Sequence, residues 1–370
     1  MGHIILDEMT EIMDISTLWH DKAALTAYCR DRLQDQYDAG WDKSLLAFIV
    51  EWYNENDFVV VHTSGSTGEP APISISKKRM VNSARMTLGF FGLKAGDKAL
   101  LCLPADYIAG KMMLVRSLVG NLNLTAVAPR GNPLENQVDG FDLAAMVPLQ
   151  IHTILNSAQG EKKIESIRKL IIGGAAISAA LEERLKNLNN DIYSTYGMTE
   201  TVSHIALRRL NGAERSPYYT ILPGVRIDKD ENDCLVIDAP DLADGPVRTR
   251  DIVRIINRNE FEVSGRFDNV INSGGIKYHP EIIERKIEEF ITDRFIIASV
   301  PDSRLGEKIV LIIETSDPRK YTLPDFKISV NKKLPALERP KDLVFLEHFP
   351  ETGNAKFQRK KITALAIGQI

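Results

Sequence analysis

The chain has 370 residues, enough for two or three domains, and its 44% hydrophobic content is ordinary for a globular protein with a sizeable core. A net charge of −4 with no basic tract argues against nucleic acid or an anionic membrane as the main partner. Cys29, Cys102 and Cys234 have neither CxxC nor metal-ligand spacing, no apolar run approaches ~18–20 residues, and the start lacks a signal-peptide core. A cytoplasmic protein with buried, reduced thiols is therefore expected, with no membrane or nucleic-acid partner.

Residues 1–56 carry Trp19, Leu25, Tyr28, Leu33, Trp41, Leu45, Phe48 and Trp52 at roughly helical spacing, which predicts amphipathic helices capping a core. Phe58–Val61 predicts a buried strand, Ile73–Ile75 a second, and Ser76 the N-cap of a helix through Met86. Between these strands lies Thr63-Ser64-Gly65-Ser66-Thr67-Gly68-Glu69-Pro70-Ala71. Such clusters ordinarily mark a flexible connection, but glycines with hydroxyl side chains also let successive N–H groups form a concavity for anionic oxygens. No Gly-Lys-Ser/Thr follows, so this is not a Walker loop.

Strand and helix then alternate: strands at 97–103, 124–128, 144–147, 170–172 and 191–196, and helices at 108–121, from Pro148, and after Ser178. The pattern predicts an α/β fold with a layered, mainly parallel sheet, whose ligands bind beyond the carboxyl ends of the strands. Gly173-Gly174-Ala175 and Tyr196-Gly197-Met198-Thr199-Glu200 both lie at such ends. From 212 to 265 short strands with Pro, Gly and Asp-Asn turns predict a small β subdomain. A separate α+β unit follows, with helices at 280–290 and 323–334 and strands at 296–300, 308–313 and 343–346. The expected division is a domain of residues 1–267 and a mobile domain of 268–370.

The order Thr-Ser-Gly-Ser-Thr-Gly-x-Pro resembles the phosphate loop of the adenylate-forming (AMP-binding, acyl-CoA synthetase) superfamily. Four further stretches resemble that family's signatures in its order: Tyr196–Glu200, Arg248–Asp251, Gly265–Asp268 with Gly274-Gly275-Ile276-Lys277 and Pro280–Glu284, and Pro350–Arg359. The resemblance implies that Thr63, Ser64, Gly65, Ser66, Thr67 and Gly68 hold phosphate, that Gly174 and Ala175 flank adenine, and that Tyr196 packs on the base. It implies that Gly197 and Met198 complete that turn, that Thr199 meets the α-phosphate, and that Glu200 and Thr67 serve Mg²⁺. Asp251 would bind the ribose and Arg266 the nucleotide. Asp268 would be the hinge, Gly274, Gly275 and Lys277 the approach for the coenzyme A thiol, and Lys356 the catalytic lysine.

The implied reaction consumes ATP, Mg²⁺ and coenzyme A: a carboxylic acid becomes an acyl-adenylate, and a thiol then displaces AMP. Within the family the shortened build, the Ser-Gly-Ser-Thr-Gly loop and the run 103–111 look most like o-succinylbenzoate–CoA ligases of menaquinone biosynthesis. That acid has a second carboxylate, for which Lys111, Arg116 and His204 are candidates. The apolar stripe Met112, Val115, Val119 and Leu122 would face the core, and at ~100° per residue the two cations flank it on opposite shoulders. Alternatives are a ligase for an aryl or medium-chain acid, a carrier-protein acceptor, or a nucleotide-binding relative with weak or no turnover. The chain departs from the family at Ala71, where a lysine is usual, at Arg250 and Ala355, where glycine is usual, and in its short segment before the loop. Whether it forms a homodimer is left open.

Overall fold

In the computed structural model, which describes residues 5–7, 12–14, 21–34, 40–62, 72–136, 140–350 and 357–369, the chain builds two sheets and a hairpin. Strands β1 (Ile5–Asp7) and β2 (Ile12–Asp14) precede helices α1 (Lys22–Gln34) and α2 (Lys43–Trp52). Next come β3 (Phe58–His62), β4 (Pro72–Ser76) and α3 (Lys77–Phe91). The alternating part runs β5 (Lys98–Leu101), α4 (Ile108–Gly120), β6 (Asn123–Val127), β7 (Phe141–Met146), α5 (Pro148–Leu155), α6 (Gly160–Glu165), β8 (Ile167–Ile172), α7 (Ala179–Leu185) and β9 (Asp191–Gly197).

Strands β10 (His204–Arg209), β11 (Tyr219–Ile221), β12 (Arg226–Lys229), β13 (Cys234–Asp238), β14 (Val247–Asn257) and β15 (Glu260–Arg266) follow. A 3₁₀ turn at Phe267–Asn269 then leads out of the first sheet. The second sheet is made of β16 (Ile271–Ser273), β17 (Ile276–Tyr278), β18 (Phe295–Asp302), β19 (Gly306–Glu314) and β20 (Asp342–Leu346). Around it lie α8 (Pro280–Ile287), α9 (Arg319–Thr322), α10 (Pro324–Lys333) and α11 (Arg359–Ile367).

The large sheet has 13 strands in the order β1-β2-β6-β5-β7-β8-β9-β10-β11-β15-β14-β13-β12. Its central strands are buried on both faces, so they read as continuous apolar runs. Successive side chains alternate between two cores: Ala99 and Leu101 of β5 join helices α1 to α4, while Leu100 joins α5 to α7. The small sheet is packed in the same way, with Ile309 and Leu311 facing α8 and α10 and Val310 and Ile312 facing α11.

The α/β class and layering agree with the sequence, but the sheet is mixed. In the large sheet only β6-β5-β7-β8-β9 run parallel and the other pairings are antiparallel, while in the small sheet β19 and β20 are parallel. The reason is connection length. A parallel pair needs a crossover of a dozen or more residues, and the short turns between β12 and β15 allow only antiparallel pairing.

Residues 212–265 form strands as expected, and these strands continue the large sheet through the β11–β15 pairing. The amino-terminal stretch also differs, because β1 and β2 extend the sheet beyond β6, and three-residue strands are too short to register a period. Strand β3 is only half buried: it pairs with β4 alone, so Val59 and Val61 face the core while Phe58 and Val60 stay exposed. Helix α11 and the β16–β17 hairpin have no counterpart in the sequence reading.

Cys29, Cys102 and Cys234 are buried, and burial pushes the Cys29 and Cys102 thiols up to about 12. Among the described residues no helix is long and apolar enough to cross a membrane.

Candidate active site

Tyr196 is the last residue but one of β9, one of the parallel strands. Its hydroxyl donates to Asp251 Oδ2 at 2.7 Å, and its ring meets Phe261 edge-on at 5.1 Å and Tyr219 at 5.7 Å. Burial, reinforced by the Asp251 carboxylate, holds the phenol well above its usual value, so it remains a donor. The Asp251 backbone N–H donates to Thr249 Oγ1 at 3.1 Å, and Arg266 reaches Asp251 Oδ1 at 3.2 Å. Four residues from β9, β14 and β15 thus meet at the carboxyl end of the parallel block. The tyrosine clamp of Tyr219 and Phe261 carried no motif in the sequence, since aromatic residues in strands signal only packing.

Two turns shape this end. Gly173 follows β8, and a Cβ there would lie 2.3 Å from Thr195 Oγ1, so a larger residue would have to turn that hydroxyl aside; Gly174 beside it has φ +83°. Ala175 completes that turn. After Gly197 and Met198 the chain makes a 3₁₀ turn over Thr199–Thr201 and then a γ-turn at Val202, with φ 66° and ψ −55° and Ser203 N–H bonded to Thr201 O at 2.7 Å. That conformation costs a β-branched residue on the order of 1–3 kcal/mol, and it swings β10 back against β9. The approach is so close that a Cβ at Gly197 would lie 2.3 Å from Ser203 O. Gly197→Ala should cost about 1–3 kcal/mol of overpacking, seen as a Tm lower by several degrees; an unchanged Tm would contradict this geometry.

Immediately beyond the γ-turn is a buried polar group that the sequence only partly revealed. Arg116 of α4 is 2% exposed, and its partners are hydroxyls: Nη2 donates to Ser203 Oγ at 2.8 Å and Nε to Thr87 Oγ1 at 3.2 Å. No described carboxylate lies within ion-pair distance of it, and burial lowers the guanidinium to about 10. Thr87 also donates to Ser83 O at 3.2 Å, so His204 Nε2, 3.1 Å from the same hydroxyl, supplies the hydrogen there. Burial, with Arg116 second, holds His204 well below its ordinary value, hence neutral.

Lys111 points elsewhere, over the Phe48 ring at 4.4 Å and 3.8 Å from Glu51. The two cations do sit on different sides of α4, but the helix is buried nearly all round from Gly110 to Ser117, not along a single stripe. No spacing in the sequence marks Thr87 or Ser203, hydroxyls that serve a distant arginine.

The later signatures also converge. Arg250 donates to Asp268 Oδ1 through Nε at 3.1 Å and Nη2 at 2.6 Å, and its guanidinium lies 4.6 Å from the Phe267 ring centre. Arg266 stands 3.6 Å from Asp268, and these cations, Arg250 first, hold that carboxyl below its usual range. Arg359 grips Glu284 of the Pro280–Glu284 stretch at 2.6 and 2.7 Å, and Gln358 N–H bonds Pro350 O at 3.0 Å. Gly274 and Gly275, both with positive φ, turn the exposed β16–β17 hairpin, with Lys277 on β17. No hydrogen bond or ion pair among the described residues ties that hairpin to Tyr196 or Asp251.

Thr63, Ser64, Gly65, Ser66, Thr67, Gly68, Ala71, Ala355 and Lys356 lie outside the described residues. The chain ends that lead into them are held: β3 and β4 pair from Phe58–Ser76 to His62–Pro72.

For magnesium, the described residues offer no cluster of three or more His, Cys, Asp or Glu side chains. Glu200 is an exposed carboxylate next to Thr199. That donor set fits an ion that brings phosphate oxygens and waters and takes one or two protein carboxylates.

A tyrosine–aspartate–arginine group beyond the carboxyl ends of a parallel block, flanked by two glycine turns, stands where α/β enzymes bind their ligands. The AMP-binding enzyme family matches residues 11–238, and the chain belongs to that family. It is similar to the acyl-CoA synthetase (AMP-forming)/AMP-acid ligase II-like protein of Dyadobacter fermentans, with 35% identity, TM-score 0.61, and 92% of this chain and 98% of that one covered. It is 24% identical to the 2-succinylbenzoate–CoA ligase of Salmonella typhimurium over 86% of this chain and 71% of the relative. The fold also resembles the o-succinylbenzoate coenzyme A synthetase of Bacillus subtilis in complex with ATP and magnesium, at 19% identity and TM-score 0.69 over 82% of this chain and 69% of that one.

Proposed function

We propose that this chain is an AMP-forming acid–thiol ligase for an aromatic acid with a second carboxylate, o-succinylbenzoate, which it joins to coenzyme A. The observation that carries the substrate is Arg116. A buried guanidinium whose partners are neutral hydroxyls is a costly arrangement, and a carboxylate arriving with the substrate completes it. Its neighbour Ser203 stands four residues after Thr199, so an acid whose reacting carboxylate lies near Thr199 extends its remote carboxylate toward Arg116. Neutral His204, its Nε2–H committed to Thr87, holds that hydroxyl in place without adding a charge.

In the first half-reaction a carboxylate oxygen attacks the α-phosphorus of ATP and the bond to the bridging oxygen breaks, releasing pyrophosphate. In the second the coenzyme A thiolate attacks the acyl carbon, and AMP leaves with the electrons of the C–O bond. Tyr196 lies against adenine between the Gly174 turn and Asp251. Asp251 has lone pairs left after serving Tyr196 and Arg266, enough to accept both ribose hydroxyls. Glu200 and Thr67 would hold magnesium, which would supply positive charge to offset that of the phosphates. The amides and hydroxyls of 63–68 cradle the outgoing pyrophosphate, and Lys356 faces the charge that develops at the α-phosphate. Residues 1–267 hold nucleotide and acid; residues 268–370 turn about Asp268 to exchange Lys356 for the Gly274-Gly275 hairpin and Lys277.

Pyrophosphate release over a panel of acids tests this reading. It expects the diacid to exceed benzoate and octanoate in kcat/KM by at least roughly tenfold; preference for a monoacid would overturn the substrate.

The loop has its own test. A lysine at 71 would supply one charge-assisted contact to the departing phosphates, worth ~1.5–3 kcal/mol. Ala71→Lys is expected to speed pre-steady-state adenylate formation roughly tenfold to a hundredfold, with little change in acid binding. No gain would mean that this loop handles pyrophosphate by another route.

A further inference from the structure

The peptide between the two sheets is held from both sides. On the side of the large sheet, Arg250 of β14 bonds Asp268 twice and stacks over Phe267. On the other side Glu281 of α8 accepts from Asn269 Nδ2 at 2.6 Å, while Gly265 lies so close that a Cβ there would sit 2.5 Å from Glu281 Oε2. Three consecutive residues of the link, 267 to 269, are therefore gripped by side chains.

Arg250 occupies the place where a Thr-Gly-Asp pattern would have glycine, and glycine could make neither contact. It is also joined to the nucleotide group. Asp268 is shared between Arg250 and Arg266, and Arg266 in turn bonds Asp251, which holds Tyr196. Two arginines and two aspartates alternate from the ribose position to the link.

We infer that Arg250 is a positioning residue that clamps the Phe267–Asp268 link in one orientation. This rests on the reading of Asp268 as the pivot. Arg250 touches neither nucleotide nor acid in this account. Its role is to set how much of the population stands in each orientation, and so how the two half-reactions divide the time of a turnover. Arg250 is half exposed and Asp268 partly so, and a pair of that kind with a cation–π contact shifts such a balance by a modest factor, roughly threefold to tenfold. Being exposed, the clamp weakens with salt.

The test compares wild type with Arg250→Gly and Arg250→Lys by two readouts. The first, hydrogen exchange of the unliganded proteins, needs no activity. Amides of 267–270 should exchange faster in Arg250→Gly by at least about threefold, with exchange elsewhere and Tm little changed, and Arg250→Lys should fall between. Unchanged exchange overturns the clamp whatever the enzyme catalyses. The second measures single-turnover adenylation and thioester formation from supplied acyl-adenylate.

Arg250→Gly should change the ratio of these two rates by roughly threefold to tenfold with the KM for ATP within about twofold. Raising salt from 0.1 to 1 M should move the wild-type ratio toward the variant's and leave the variant's in place. Equal loss of both rates together with a lower Tm would mark a purely structural arginine and overturn the proposal. If wild type forms no adenylate from any acid, the proposed function fails while the exchange measurement still decides the clamp.

Discussion

Replacing Lys356 by alanine is expected to lower the single-turnover rate of pyrophosphate release by roughly a hundredfold to a thousandfold, the usual effect of removing one donor from a developing oxyanion. Thioester formation from supplied acyl-adenylate should stay within about twofold of wild type. The division follows from one lysine serving one orientation of the carboxyl-terminal domain. The neighbouring residues keep their anchors in the variant: Phe357 meets Phe349 edge-on at 5.4 Å, and Arg359 remains bonded to Glu284. A fall of equal size in both half-reactions would refute the division of labour.

The second large effect concerns Arg116. Arg116→Met keeps much of the volume and removes the charge. Truncating one member of a buried charge pair typically costs 2–5 kcal/mol, so the KM for o-succinylbenzoate should rise roughly thirtyfold to a few thousandfold. Turnover of benzoate, which has no remote carboxylate, should not fall. Because replacing a buried charge by an apolar group is often neutral for folding, Tm should move by only a few degrees. A structural arginine would lower Tm and the rates for both acids together, and that outcome would remove Arg116 from the acid pocket.

The motifs announced this site better than the elements around it. Tyr196, Asp251 and Arg266 were each named from short stretches far apart in sequence, and they meet within hydrogen-bonding distance because β9, β14 and β15 belong to one sheet. Arg116 and His204 were named as separate candidates; the hydroxyl that joins them, Thr87, sits on α3 and follows no pattern. Side chains that satisfy another side chain are set by tertiary contact, which a linear pattern does not carry.

The same limit applied to the sheet. The helix–strand alternation from 97 to 197 was legible because each buried strand is an apolar run. The antiparallel continuation through β10 to β15 depends on which edge each short strand finds, and hydropathy is silent on that. In sequence Arg250 only interrupts a nucleotide motif; the fold sets it against Phe267 and Asp268.

The most direct measurement of the whole account is the product balance in one mixture of the protein with ATP, Mg²⁺, o-succinylbenzoate and coenzyme A, followed by mass spectrometry and nucleotide chromatography. The account predicts equal amounts of AMP, pyrophosphate and o-succinylbenzoyl-CoA, with acyl-AMP accumulating on the protein when coenzyme A is left out. Formation of ADP and phosphate, or ATP consumption that proceeds without the acid and yields no acyl-AMP, would contradict it.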